Sequence, residues 1–144
     1  GFSPADRYSV CIIARKSLFW YVKNRIPESR MVELDKSQKK IARALISRAL
    51  ERECSAFLTK LQRQLRQNEK AQSCHERYLD VYKSVRAFDK YISRQYDDLT
   101  GSSYALAVFS LFYNGILTEK DLSEFDDRTR EAFLEHRRLW NPDL

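Results

Sequence analysis

Apolar residues recur at every third or fourth position along most of this chain of 144 residues, which is the spacing of a helix that buries one side. The first such stretch begins at Ser3 and Pro4, two residue types that suit the first turn of a helix, and it ends near Asn24. Residues 9–14 also suit a short buried strand, because three of these six are β-branched. The pattern therefore predicts an N-terminal helix, with a strand as the alternative for part of it.

Residues 31–100 contain neither Gly nor Pro, which predicts at least two long helices with a turn between them near residues 68–72. In the first long helix the apolar side changes near Ser47. Ile41 and Leu45 lie almost opposite the apolar residues that follow Ser47. This helix is expected either to bend there or to have different neighbours along its two halves.

A capping box precedes the second long helix, because Ser73 is followed three residues later by Glu76. The helix is therefore expected to start at Cys74 or His75. It carries the most regular apolar stripe of the chain, and we predict that this stripe is half buried. Asp89 lies on the apolar side, where an Arg, Lys or Tyr partner is expected. The stripe consists of Tyr78, Val81, Tyr82, Val85, Phe88, Ile92, Tyr96 and Leu99.

The C-terminal part predicts three shorter helices. Residues 104–113 are apolar on nearly every side, as in a central helix, and Gly115 follows as a residue suited to a left-handed cap. Thr118 begins the next helix, and Asp126 or Asp127 caps the last one.

The fold predicted from these elements is a single all-α domain over residues 1–144. It is an irregular bundle of five or six helices, two of them long, around the central apolar helix 104–113. Three Gly and three Pro are too few for the many tight turns of a sheet protein, and 43% hydrophobic residues suffice for one core.

The three cysteines, Cys11, Cys54 and Cys74, are odd in number and lack the Cys and His spacing of a zinc site. We interpret them as reduced thiols of the core, which favours a reducing compartment such as the cytoplasm. No metal and no cofactor is predicted. The longest apolar run is about half the length that crosses a bilayer, so no membrane partner is predicted.

Charge is divided unevenly along the chain, whose net charge is +6. Residues 36–70 hold ten Lys or Arg against three Asp or Glu (+7), whereas residues 97–135 hold three against nine (−6). The basic segment is a candidate site for a nucleic-acid backbone. The alternative is a solvated surface that the acidic third partly neutralises. The candidate binding residues are Lys36, Lys39, Lys40, Arg43, Arg48 and Arg52.

One pair of residues suggests catalysis. Arg130 is separated by five residues from His136 on the last predicted helix, which resembles the Arg-x4-6-His motif of the HEPN ribonucleases. The resemblance implies a small all-α bundle that cleaves RNA, with Arg130 stabilising phosphate charge and His136 acting as acid or base. Glu131 departs from the family pattern, which has a small polar residue directly after the arginine.

Aromatic residues are more numerous than a small core readily buries, and such residues commonly anchor protein partners or a homodimer interface. The sequence therefore favours a non-enzymatic cytoplasmic interaction or regulatory module that binds a protein partner. The alternatives are an RNA-cleaving HEPN-like bundle and a nucleic-acid binder that uses the basic segment.

Overall fold

The computed structural model describes residues 30–67 and 69–140, which form five α-helices. These are α1 (Lys36–Gln67), α2 (Cys74–Tyr96), α3 (Tyr104–Tyr113), α4 (Glu119–Leu122) and α5 (Asp127–Leu139). This part of the chain contains no strand, and the predicted all-α fold is confirmed. The predicted N-terminal helix and its strand alternative lie outside the described residues.

α1 and α2 form an antiparallel hairpin. Phe57 stacks on Phe88 with the ring centroids 4.1 Å apart, and nearer the turn the Ser84 hydroxyl donates to the Gln64 side chain at 3.0 Å. The 32 residues of α1 give it a length of about 48 Å, so the turn end of the hairpin lies well away from the core.

The predicted capping box sets the start of α2. The Ser73 hydroxyl accepts from the Glu76 amide at 3.2 Å, and the Glu76 carboxylate accepts from the Ser73 amide at 2.9 Å. These bonds satisfy two amide groups that the helix leaves without an internal acceptor. α2 accordingly begins at Cys74.

The two halves of α1 have different neighbours, as the change in its apolar side predicts. Near its start, Ala42, Leu45 and Ala49 are fully buried in the main core together with α3. Toward the turn, α1 packs on α2 through Phe57. The change of apolar side thus reflects a change of packing partner.

α3 lies in the core, with eight of its ten residues buried. It packs against α1 and α5. Phe125, in the short segment between α4 and α5, belongs to the same core. Gly115 follows α3 with φ of +77°, the left-handed conformation that glycine adopts readily. Asp126 caps α5 by accepting from the Thr129 amide at 2.8 Å.

The apolar stripe of α2 is partly covered, as predicted, because five of its eight members are half-buried. The buried residues of α2 are Tyr91 and Gln95, whereas Tyr78, Tyr82 and Val85 are exposed. Asp89 is exposed as well, so the expectation that it needs a partner on a buried side is wrong. The reason is geometric, since α1 covers the side of α2 around Phe88 and the stripe extends beyond that side.

Candidate functional site

Large apolar side chains lie in the open on one side of the α1–α2 hairpin. Five of them are between 40% and 62% exposed, although they belong to the apolar stripes of their helices. We call this surface the hairpin face. It consists of Leu58 and Leu65 on α1 and of Tyr78, Tyr82 and Val85 on α2.

Helix geometry places these five side chains on a common side. At 100° per residue, Leu65 and Leu58 lie about 80° and 100° around α1 from Phe57. The α2 members of the hairpin face lie about 60° to 120° around α2 from Phe88, in the same rotational sense. In two antiparallel helices, side chains that are rotated by the same angle and in the same sense from the line of contact lie on the same side of the pair. The two sets of residues therefore form one surface. Leu79, about 180° from Phe88 and about 60° from Tyr82, lies at the outer edge of this surface.

Charged residues of both signs accompany the hairpin face. Arg66 on α1 and Arg86 on α2 are exposed near its outer edges, whereas the exposed Asp89 lies within its angular range on α2, about 100° from Phe88. Over residues 54–92 the chain has eight Lys or Arg and four Asp or Glu, a net charge of +4. The hairpin therefore presents an apolar surface within a positive field.

The structure separates the six candidate nucleic-acid contacts into two groups. Arg48 and Arg52, in the middle of α1, contact the buried Asp121 on α4. Arg52 donates to both carboxylate oxygens, at 2.7 and 3.0 Å, and Arg48 donates at 3.1 Å and also pairs with Glu124 at 2.8 Å. These two arginines join the basic and acidic parts of the chain, so they stabilise the fold.

Asp121 is also bound by Thr118, the cap residue of its own helix. The Thr118 amide donates to this carboxylate at 2.8 Å and the Thr118 hydroxyl donates at 3.0 Å. Hydrogen bonds from Arg52, and further bonds from Thr118 and Arg48, hold the pKa of Asp121 well below its usual range. The carboxylate is therefore charged at every physiological pH.

The other candidate basic residues lie near the start of α1. Lys36, Lys40 and Arg43 are exposed, and the Arg43 guanidinium lies over the Tyr104 ring at 5.7 Å from its centroid. Lys39 is half-buried, and its side chain reaches within 3.6 Å of the position that a Cβ on Gly101 would take. This group forms a small basic surface, separate from the arginines that hold α4.

Arg130 and His136 are not brought together. Their separation of six residues places them about 120° apart around α5. Arg130 pairs with Asp127 at 3.2 Å, while the half-buried His136 packs edge-on against the core ring of Phe109 at 4.8 Å. Burial lowers the pKa of His136. The imidazole is thus a packing group of the core, and the geometry gives no support to the RNA-cleaving reading.

A buried polar group that sequence reasoning missed lies between α1 and α2. Glu53 is buried, and its carboxylate accepts hydrogen bonds from the hydroxyls of Tyr91 at 2.7 Å and Tyr96 at 3.1 Å. Burial, with the nearby Glu53 charge, raises the pKa of Tyr96 far above its usual value. In the sequence, Glu53 lies among the apolar positions of α1. This position is the only signal in the sequence that its carboxylate is buried and needs a hydrogen-bond partner.

The described thiols differ from the prediction in part. Cys54 is half-buried, and burial raises its pKa, whereas Cys74 is exposed at the start of α2 and is not a core residue. Among the residues that the structure describes, no three His, Cys, Asp or Glu side chains are placed to hold a metal ion. None of the described helices is both long and apolar enough to cross a membrane.

A shallow cleft of about 320 Å³ lies beside the segment that precedes α1 and the start of α3. Glu33 and Lys39 are the charged residues among its described lining. One acid and one base on an open surface do not make a catalytic arrangement, so the hairpin face is the stronger candidate.

A comparison of the chain with protein-family models, curated proteins and solved structures finds no match.

Proposed function

We propose that this chain is a non-enzymatic, cytoplasmic interaction module whose hairpin face binds a protein partner, a second copy of the chain included. The observation that carries the proposal is the exposure of five large apolar side chains on one side of the hairpin. A contiguous apolar surface with a polar rim is typical of a protein-binding site. Two of the five residues are tyrosines, which are common anchors of such sites.

The alternative functions have less support from the described residues. Two of the six candidate nucleic-acid contacts on α1, Arg48 and Arg52, form ion pairs with Asp121 and are therefore not available to bind phosphate groups. RNA cleavage requires Arg130 and His136 to face one phosphate, and they diverge on α5. Protein binding requires neither group.

Photocrosslinking tests the proposal directly. With p-benzoylphenylalanine in place of Tyr82, we expect ultraviolet light to produce covalent adducts with protein in the cells that make this chain. The same amino acid in place of Ala87 is the matched control, because Ala87 is exposed on the same helix and lies about 100° from Phe88 in the opposite rotational sense, on the other side of the hairpin. Adducts that appear equally at both positions, or at neither, would contradict the proposal.

The hypothesis that this chain cleaves RNA can be tested separately. We expect the purified chain to leave end-labelled single-stranded RNA intact on a denaturing gel, as a His136→Ala variant does, because His136 is engaged in core packing. Cleavage that the variant loses would refute the non-enzymatic proposal. A salt-sensitive gel shift that is abolished by Lys40→Glu together with Arg43→Glu would instead assign binding to the basic surface.

A further inference from the structure

We propose that residues 3–24 of the same chain dock as a helix on the hairpin face, and that a protein partner must displace them. The proposal rests on the proposed function and adds the regulation of that site. Residues 1–29 lie outside the described residues. The apolar pattern of this segment, its length and its charge match the surface that the hairpin leaves uncovered.

The N-terminal segment carries an apolar side in its sequence. On a helix, six apolar residues lie within about 60° of Arg15 around the axis. They are Tyr8, Cys11, Ile12, Leu18, Phe19 and Val22. A stripe of this width is typical of a helix that packs in the groove between two neighbours.

The hairpin face has the angular position that a third helix requires. In a bundle of three helices the two neighbours of each helix lie about 60° apart around its axis, from the symmetry of the triangle. Leu61 and Leu65 lie about 40° and 80° around α1 from the stacked phenylalanine, and Val85 lies about 60° around α2. These side chains therefore point into one groove. Leu58 and Tyr82, at about 100° and 120°, lie on its two edges.

The segment is long enough for this groove and is attached at the appropriate end. Residues 25–35 connect it to the start of α1, so a docked helix runs antiparallel to α1 and parallel to α2. Its 22 residues extend about 33 Å, whereas the stripe from Tyr78 to Ile92 extends about 21 Å. The connection can span up to about 35 Å, so the helix can cover the whole face.

The charges within the hairpin face are acidic, although the hairpin as a whole is basic. Glu51 and Asp89 are exposed and lie about 120° and 100° around their helices on this side. On α1 and α2, every Lys or Arg of residues 51–92 lies outside the angular range of about 40° to 140° that the face occupies. The N-terminal segment holds four Lys or Arg against one Asp over residues 3–24, a net charge of +3. It is therefore complementary to the face in charge.

One register pairs Arg15 with Asp89. Asp89 follows Phe88, which stacks on Phe57, so it lies about 30 Å along α1 from the start of that helix. Beside it, Arg15 would place Asn24 about 16 Å along α1, a distance that the connection spans easily. The aliphatic part of Arg15 would cover the apolar groove while its guanidinium reaches the carboxylate at the edge.

Photocrosslinking of the purified full chain tests the docking. With p-benzoylphenylalanine in place of Tyr82, we expect adducts to residues 1–29 within the 17.1 kDa monomer, located by mass spectrometry after digestion. The same amino acid in place of Ala87, on the other side of the hairpin, is expected to give less than about one fifth of that yield. Equal yields at both positions, or no such adduct from position 82, would overturn the proposal.

Charge variants test the register. Asp89→Arg is expected to lower the yield of the intrachain adduct at least about fivefold, and Arg15→Asp in the same chain is expected to restore it. Lys90→Glu reverses a charge about 200° from Phe88 and should leave the yield unchanged. Circular dichroism confirms that each variant is folded. A folded Asp89→Arg chain with an unchanged yield, or a double variant without recovery, would overturn the pairing.

A variant of the segment tests the regulation without altering the hairpin. Ile12→Glu together with Phe19→Glu places charge on the apolar side of the segment. We expect this variant to lose the intrachain adduct and to increase, at least about threefold, the adducts that position 82 forms with other proteins in cells. If the intrachain adduct is lost and the adducts with other proteins do not increase, the regulatory role is overturned and the proposed interaction module stands.

Two further outcomes separate this proposal from the proposed function. Intrachain adducts without any adduct to another protein, in the native chain and in the variant alike, would remove the interaction module and with it the regulatory role. Adducts between two copies of the purified chain in place of the intrachain adduct would assign the hairpin face to a second copy and overturn the docking.

Discussion

Asp121→Asn is expected to lower the free energy of unfolding by about 2 to 3 kcal/mol. The substitution removes the charge that receives three hydrogen bonds from Arg48 and Arg52, and it weakens the capping box with Thr118. Breaking a fully buried ion pair costs more than this. The side chains of Arg48 and Arg52 are 39% and 44% exposed, however, so water can solvate them after the carboxylate is lost.

The effect of Asp121→Asn should depend on pH in a defined direction. Because the pKa of Asp121 is depressed in the folded state, its contribution to stability is fully present above the ordinary aspartate pKa of about 3.9. That contribution is lost as the pH falls through the lower folded value. Urea denaturation at pH 7, 5, 3 and 2 should therefore show the difference between the native chain and the variant shrinking below about pH 4.

Asp127→Asn is a suitable control for this series. Asp127 also lies in the first turn of a helix and pairs with an arginine, but its side chain is 92% exposed and the Arg130 contact is on the surface. We expect a change below about 0.5 kcal/mol. If Asp121→Asn destabilised the chain as little as the control does, or equally at pH 2 and pH 7, the assigned role of the Arg48 and Arg52 contacts would be incorrect.

Phe109→Ala is expected to cost about 3 to 5 kcal/mol, the range for removing a phenylalanine from a packed interior. Phe109 is fully buried on α3, and its ring lies 6.1 Å from that of Tyr113 and 4.8 Å from that of His136. The neighbours lie on two different helices, so they cannot easily close the cavity. Phe109→Leu keeps most of the volume and is expected to cost less than half as much in urea denaturation.

His136 offers a second readout for Phe109. Burial lowers the pKa of His136 in the native chain. Loss of the Phe109 ring admits water to the imidazole, so its pKa should rise toward the ordinary value of about 6.5 in Phe109→Ala. Proton NMR titration of His136 in the native chain and in the variant measures the change. An unchanged His136 titration in a folded Phe109→Ala variant would contradict the packing described for α5.

Helix ends were predictable because their signals are local. Ser73 with Glu76, Thr118 as the residue before α4, and Asp126 before α5 each act on backbone groups within three residues. The apolar spacing likewise predicted long helices on either side of the turn near residues 68–72. Such features depend on backbone geometry that a short segment possesses without its neighbours.

The candidate sites were less predictable, because each depends on which helix faces which. From the sequence, Arg48 and Arg52 were interpreted as part of a basic surface. In the structure they contact Asp121 of α4, which is about 70 positions away along the chain. The motif suggested that His136 is a catalytic acid or base, whereas in the structure its ring packs against Phe109 of α3. A charge count or a short motif contains no information on these distant contacts.

The hairpin face shows the same division within one helix. The sequence by itself determined that α2 is helical, where it starts and which of its residues are apolar, since these follow from helical periodicity and a capping box. Only the tertiary structure decided which apolar residues are covered, because α1 contacts the side around Phe88 and leaves Tyr78, Tyr82 and Val85 exposed. Periodicity defines a stripe, whereas burial depends on where the neighbouring helices lie.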